Sequence, residues 1–243
     1  MSDERRVRAT SFGSVADAYE RGRPEYPEEA ARWLAGKPPL DVVDLAAGTG
    51  KLTRVLVRLG YRVAAVEPLP EMREQLVAAV PQAQSLAGTA ESIPLPDESM
   101  DAVLAAQAYH WFDHPVALRE IARVLRPGGR LGIVWNLRDE SVDWVGRLSE
   151  LIDSGGEQDR DEADDIADSG LYEPAEEAEW RWEQPLDRDR LRDLVLSRSY
   201  CATMSSGPRE EVLAAVDRLY DEVAGPEGLS MPYVTYGVRA VRR

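Results

Sequence analysis

The sequence predicts an α/β protein: a three-layer α/β/α sandwich around a mostly parallel sheet of seven strands, with a helical insertion after the fifth strand. Three observations predict it. The apolar strand Val42 to Leu45 runs into the small-residue turn Ala46-Ala47-Gly48-Thr49-Gly50, which opens a helix at Lys51. Strands and amphipathic stretches then alternate as far as Trp135, and strands joined by crossover helices form a parallel sheet covered on both faces. A carboxylate, Glu67, follows the second strand, Val63 to Val66, at the spacing that strand–helix–strand geometry requires.

The elements follow in order. Residues 1–11 read as loosely attached, and Phe12 to Arg23 as a short helix. Arg23-Pro24-Glu25-Tyr26-Pro27 is an extended entry, because each proline drives the residue before it out of the helical region. Glu28 to Leu34 is a helix closed by Gly36 and Pro38-Pro39. Lys51 to Leu59 carries Leu52, Val55, Leu56 and Leu59 on one stripe and ends at Gly60. Glu71 to Val80 sets Met72, Leu76 and Val80 along one side, and a short strand near Ser85 to Gly88 follows. Pro94-Leu95-Pro96-Asp97 is turn-rich and leads to the strand Ala102 to Ala106. A helix from Pro115 to Leu125 is stopped by Arg126-Pro127-Gly128-Gly129, whose glycines are expected to supply the positive φ values of a tight turn into Arg130 to Trp135.

The rhythm then breaks. From Asp139 to Glu177 the chain is helical in tendency and strongly acidic, and Glu157 to Asp168 reads as a solvated, mobile surface. Asp159, Asp161 and Asp165 lack the glycine at the sixth position that a calcium loop needs. Trp180-Arg181-Trp182 and Tyr233 to Val241 alternate as strands, the last antiparallel, with helices Arg190 to Ser199 and Glu210 to Val223 between them.

Composition bounds the function. A chain of 243 residues, 44% hydrophobic and 30% charged, buries a sizeable core. With 29 basic and 44 acidic residues the net charge is −15, which repels nucleic acid and other polyphosphates. No apolar run is long enough to span a bilayer, and the start Met1-Ser2-Asp3-Glu4-Arg5-Arg6 is too charged for a secretory signal, so a cytoplasmic protein without membrane partners is expected. The single cysteine, Cys201, rules out an internal disulfide and a multi-cysteine metal site.

The chemistry concentrates on the first turn. Glycine at 48 and 50 leaves room for a ligand to lie on the turn, and the helix start offers unpaired N–H groups. A dinucleotide fingerprint would continue with glycine at position 53, where this chain has Thr53. Glu67 is placed to accept hydrogen bonds from both hydroxyls of a ribose.

Asp44-Leu45-Ala46-Ala47-Gly48-Thr49-Gly50, then Glu67-Pro68, then Gly88-Thr89-Ala90-Glu91 with Pro94 to Asp101, then Leu125-Arg126-Pro127-Gly128-Gly129-Arg130-Leu131 resemble the ordered motifs of class I S-adenosylmethionine-dependent methyltransferases. The resemblance covers about residues 12–136. Phe12-Gly13-Ser14-Val15-Ala16-Asp17-Ala18-Tyr19, Arg23 to Pro27 and Ala108-Tyr109-His110-Trp111-Phe112 are similar to the small-molecule branch that includes trans-aconitate methyltransferase-like proteins.

The resemblance implies a Rossmann-like methyltransferase fold with S-adenosyl-L-methionine as cofactor. It divides a single domain, 1–243, into an N-terminal lid segment (1–36), a cofactor-binding core (37–138), an acidic helical insertion (139–178) and the C-terminal part of the sheet (179–243). Ala46 and Gly48 would line the methionine and ribose, Glu67 would hold the ribose, and Pro68 and Met72 would pack near the adenine. At Thr89-Ala90 the family more often has Asp-Ala, so the contact to the adenine amino group becomes neutral. Gln107 would sit beside the sulfonium, and Tyr19 and Arg23 would close over the site, Arg23 pairing with the cofactor's carboxylate.

The implied reaction is methyl transfer by in-line displacement to a small-molecule carboxylate, hydroxyl or thiol, by a monomer or homodimer and without a metal. His110 is the candidate general base for a hydroxyl acceptor, and His114 caps the next helix. Tyr26, His110, Trp111, Trp135 and Trp144, with Tyr19 and Tyr200, are expected to wall the substrate pocket. Arg138, Arg147 and Arg198 are available to an acidic substrate. Two alternatives stay open: a regulatory protein that binds the cofactor without turnover, and a nicotinamide-dependent oxidoreductase.

Overall fold

The structure is a computed structural model that describes residues 20–152, 161–198, 201 and 204–243. Among these residues the elements run α1 (Glu28–Ala35), β1 (Asp41–Leu45), α2 (Lys51–Arg58), β2 (Arg62–Val66), α3 (Pro70–Ala79), β3 (Gln84–Leu86) and β4 (Met100–Ala106). They continue with α4 (His114–Val124), β5 (Leu125–Arg138), α5 (Asp143–Ile152), α6 (Glu162–Ser169), β6 (Glu176–Leu186), α7 (Arg188–Leu196), α8 (Ser206–Val223) and β7 (Leu229–Val241). The seven strands form one sheet in the order β3-β2-β1-β4-β5-β7-β6. β1 to β5 pair in parallel, and β7 runs antiparallel between β5 and β6.

Alternation along the strands feeds two cores. Val43, Leu45, Val66, Val103 and Ile133 face one side, where α4 supplies Leu118 and Ile121. Val42, Val63, Leu104 and Val134 face the other, under Leu34 of α1 and Leu52, Val55 and Leu56 of α2. Burial on both faces is why these strands are nearly all apolar. The chain leaves β1 for β2 on one side and reaches β4 on the other, and the crevice at the carboxyl ends of β1 and β4 is where such sheets bind ligands.

Two expectations need correction. The segment Arg126-Pro127-Gly128-Gly129 is no turn ahead of the fifth strand but part of β5, whose pairing with β4 slips in register between Met100 and Ala102. Only Gly128 has a positive φ, +77°. Gly129 is needed for space, because a Cβ there would lie 2.8 Å from the Arg126 carbonyl oxygen.

The acidic stretch is also less solvated than expected over its described part, residues 161–168. Glu162 is 4% exposed and accepts from Trp135 Nε1 at 2.7 Å, and Asp165 pairs with His114 Nδ1 at 2.7 Å. These two carboxylates dock α6 on the main core, where Ile166 is buried. α5 goes elsewhere, packing Val145, Leu148 and Ile152 with α7 and α8.

Candidate active site

The turn after β1 is built on left-handed backbone. Gly48 and Gly50 have φ of +57° and +89°, and Ala46 adopts +56°, a region that a side-chain-bearing residue rarely occupies. A Cβ on Gly48 would meet nothing within 4 Å, so the floor above the turn is open. Glu67, 5% exposed, closes this floor from the end of β2. Its Oε2 accepts from the Gly48 N–H and its Oε1 from the Leu69 N–H, both at 2.9 Å.

Each carboxylate oxygen of Glu67 retains a lone pair, so the group has capacity for two adjacent hydroxyls. Burial pushes the Glu67 carboxyl above the usual range, against the pull of the two amides and of Arg73. Arg73 pins the strand end by donating to the carbonyls of Glu67 at 2.8 Å and Pro68 at 2.7 Å. Pro68 itself is exposed, and Met72 is buried on α3.

Beneath the turn Asp44 is buried, with Oδ2 accepting from Thr53 Oγ1 at 2.5 Å. Its carboxyl is pushed up to about 7, by burial first and in part by the charge of Glu67, while the Thr53 hydrogen bonds pull it down. Thr53 thus has a reason to stand where a dinucleotide fingerprint has glycine: its hydroxyl serves a buried carboxyl.

The third loop brings Thr89 to the surface, its backbone exchanging hydrogen bonds with Ser92 at 3.3 and 3.2 Å. Ala90 faces inward as part of the main core. At the end of β4, Gln107 takes a φ of +56°, donates its N–H to the Val134 carbonyl and its Nε2 to the Asn136 carbonyl, each at 2.9 Å. His110 lies in the 3₁₀ turn Tyr109–Trp111, with its ring 4.3 Å from Trp111 and 5.2 Å from Trp135.

A cleft open to solvent lies at the carboxyl ends of β4 and β5, where Gln107, Asn136 and Arg138 line it. Its charged wall is Arg23, Lys51, Arg138 and Arg198; Tyr26, Gln107, Asn136 and Tyr233 line it as well, and among the described residues no carboxylate does. Lys51 and Thr49 are tied to Glu20 of the entry segment, whose carboxylate Thr49 Oγ1 meets at 2.8 Å. Arg23 donates to Ser197 Oγ at 2.8 Å, fastening that segment to the end of α7.

Arg138 and Tyr233 are cross-strand partners of β5 and β7 and therefore neighbours on one face. Burial drives the Arg138 guanidinium below its ordinary value, and Arg23 adds to the effect. Burial likewise raises the Tyr233 hydroxyl, with Arg23, Arg138 and Arg190 opposing it.

Of the residues expected at the site, Arg23, Tyr26 and Gln107 line the cleft together with Arg138 and Arg198, whereas Ala46, Gly48 and Glu67 lie at the ends of β1 and β2, and His110 and Trp111 are not among the described residues that line it. Trp135 does not wall the cleft: it is 2% exposed in the main core, and its indole N–H goes to Glu162. Trp144, on α5, packs against the apolar cluster that α5 shares with α7 and α8, and Arg147 pairs with Glu222 at 2.6 Å. Tyr19 and Tyr200 lie outside the described residues. Lys51, Asn136 and Tyr233 had no sequence signal beyond their positions at a helix start and at strand ends.

The chain matches the model of a methyltransferase domain over residues 43–133. It is 49% identical to an uncharacterized methyltransferase of Mycobacterium bovis over 99% of both chains. A malonyl-[acyl-carrier protein] O-methyltransferase of Methylococcus capsulatus is 34% identical over 53% of this chain and 50% of its own. The solved structure of a putative type II methyltransferase from Anaeromyxobacter dehalogenans superposes with a TM-score of 0.60 at 27% identity, over 91% of this chain and 97% of that one. The strand order, the glycine turn facing a buried acid and these relatives together make the chain a member of the class I S-adenosylmethionine-dependent methyltransferases.

Proposed function

We propose that the chain transfers a methyl group from S-adenosylmethionine to a small-molecule acceptor, with the nucleoside resting on the Gly48 turn and the acceptor entering the cleft beyond Gln107. One observation carries this reading: the buried Glu67 carboxylate, braced by two backbone amides, has acceptor capacity left for a ribose diol and faces a turn with open space above it. The bound cofactor supplies a methyl on a sulfonium, which is already activated for displacement.

What remains to the protein is alignment and exclusion of water. Glu67 and the turn would hold the nucleoside, Ala46 and Gln107 would shape the path of the methionine, and the segment from Glu20 to Tyr26 covers the crevice from above. Arg54 reinforces that cover through ion pairs to Glu20 at 2.7 Å and Glu25 at 2.9 Å. The acceptor atom, a carboxylate, hydroxyl or thiol oxygen or sulfur, approaches in line with the methyl. His110, whose ring lies against Trp111 and Trp135, is the base we assign to a hydroxyl acceptor.

Titration calorimetry with S-adenosylhomocysteine and with NAD tests the cofactor half of the reading: the sulfur ligand binds and NAD does not. Cofactor consumption over a panel of acids, alcohols and thiols tests transfer, and binding with no turnover on any acceptor would overturn it.

A further inference from the structure

The cationic cleft is out of keeping with a chain of net charge −15: Arg23, Lys51, Arg138 and Arg198 line it and, among the described residues, no carboxylate does. Two of these cations are already engaged. Lys51 is paired with Glu20, and Arg23 is fastened to Ser197. Arg138 differs. Ser149 Oγ accepts from its Nε at 3.3 Å and its Nη2 at 2.9 Å, which fixes the guanidinium, and its ion-pair partner Glu140, at 3.6 Å, is itself exposed. Arg138 Nη1 is shielded from solvent and has no hydrogen-bond partner among the described residues.

The same holds for the hydroxyl of Tyr233, a residue only 3% exposed, and for Arg198 Nε. A buried donor left unmade costs about 1–3 kcal/mol, and three of them along one cleft mark a place shaped for an acceptor group that arrives with a ligand. Tyr233 is held for that purpose: its ring stacks on Trp182 at 5.0 Å, and its cross-strand partner is Arg138.

We propose that Arg138, Tyr233 and Arg198 form an anion subsite that holds the carboxylate of the methyl acceptor, making the substrate a small organic acid. This rests on the methyltransferase reading above and names its substrate class. Arg138 Nη1 and Arg198 Nε each offer a charge-assisted hydrogen bond to a carboxylate oxygen, and the Tyr233 phenol adds a third donor. The cofactor's own carboxylate is the competing occupant, and position argues against it. Glu67 fixes the nucleoside at β2, and at about 4.8 Å per strand β5 lies roughly 14 Å and β7 roughly 19 Å away across the sheet. Lys51 opens α2 directly after the Gly48 turn and stands nearer the cofactor end, whereas Arg23 acts on Arg138 and Tyr233 from the entry segment.

The test is calorimetry of benzoate and malonate, with benzamide, malonamide and inorganic phosphate as controls, each titrated with and without saturating S-adenosylhomocysteine. At least one carboxylate is expected to bind the S-adenosylhomocysteine complex, with its amide at least tenfold weaker. Arg138→Met and Tyr233→Phe should each weaken that carboxylate tenfold or more while S-adenosylhomocysteine affinity stays within twofold, which also reports that the variants are folded. Tyr233→Phe removes one oxygen and keeps the Trp182 stack, so it decides the matter if Arg138→Met does not fold. The proposal is overturned if acids and amides bind alike, if neither acid binds, if phosphate alone binds, or if the substitutions cost S-adenosylhomocysteine affinity tenfold. Loss of S-adenosylhomocysteine binding by the unaltered protein would instead overturn the methyltransferase reading itself.

Discussion

The hydroxyl of Thr53 donates to Asp44 Oδ2 at 2.5 Å, inside the sheet and directly under the turn that ends in Gly50. Both residues are buried, and Asp44 Oδ1 has no hydrogen-bond partner among the described residues. The pair supports the turn from below. Thr53→Val keeps the shape and removes the donor, so it should destabilise the protein by about 1–3 kcal/mol. The loss should be larger at pH 8 than at pH 5, because the charged carboxylate needs the donor more than the protonated one. Urea midpoints at the two pH values check this, and an equal loss at both would contradict it.

Asp44 also predicts a slope in stability. Its carboxyl titrates at about 7 in the fold against 3.8 ordinarily, so between those values the folded state holds a proton that the unfolded chain has released. Stability from this group is therefore complete below about pH 4, falls as the pH rises towards 7, and is level above it. Glu67, also raised by burial, adds to the fall, whereas Glu25, Asp41 and Glu120 are lowered and oppose it. The comparison that isolates Asp44 is with Asp44→Asn, which accepts from Thr53 without ionising. The unaltered protein should lose stability relative to Asp44→Asn between pH 4 and 7, and parallel curves would contradict the assignment.

Gly48 and Gly60 separate backbone strain from ligand contact. Both have positive φ, +57° and +90°, and neither would crowd a Cβ within 4 Å. Alanine at either costs about 1–2 kcal/mol for the left-handed backbone. Only Gly48 lies in the proposed nucleoside floor, so Gly48→Ala should weaken S-adenosylhomocysteine at least tenfold while Gly60→Ala leaves it unchanged. Similar affinities in the two variants would remove Gly48 from the site.

Glu67→Gln tests the other side of that floor. The amide substitution sets an N–H₂ donor against one of the two backbone donors, Gly48 or Leu69, and forfeits the charge that strengthens a hydroxyl contact. S-adenosylhomocysteine should bind at least tenfold more weakly. In the unaltered protein its affinity should fall as the pH drops through the raised Glu67 pKa, and that dependence should vanish in Glu67→Gln.

How much of this was legible follows from where each signal lives. Glu67 was readable because strand–helix–strand geometry fixes its distance from Gly50 along the chain, and the acid and the turn are then brought together by adjacent parallel strands. Arg138 and Tyr233 were not readable as a pair. They meet only through the antiparallel register of β5 and β7, which a sequence does not print and which a one-residue slip would reverse. The tryptophans misled for a related reason: an aromatic side chain suits a core and a pocket wall equally, and Trp135 went to the core because Glu162 supplied a buried acceptor for its indole N–H. The acidic stretch looked solvated because composition averages over residues, whereas docking of α6 depends on two of them, Glu162 and Asp165.

Those two contacts should differ in worth. Trp135→Phe takes the indole donor from a carboxylate that is 4% exposed, and should cost about 1–3 kcal/mol. Asp165→Asn weakens a pair with His114 in which both side chains are 31% exposed, and screening by water should hold the loss below about 1 kcal/mol. The double variant Trp135→Phe with Glu162→Gln should recover part of the first loss, because the buried charge goes with its donor. Urea denaturation of the four proteins gives the order. A Trp135→Phe loss no larger than that of Asp165→Asn, or no recovery in the double variant, would mean that α6 is held by apolar packing through Ile166 and not by the buried Glu162 contact.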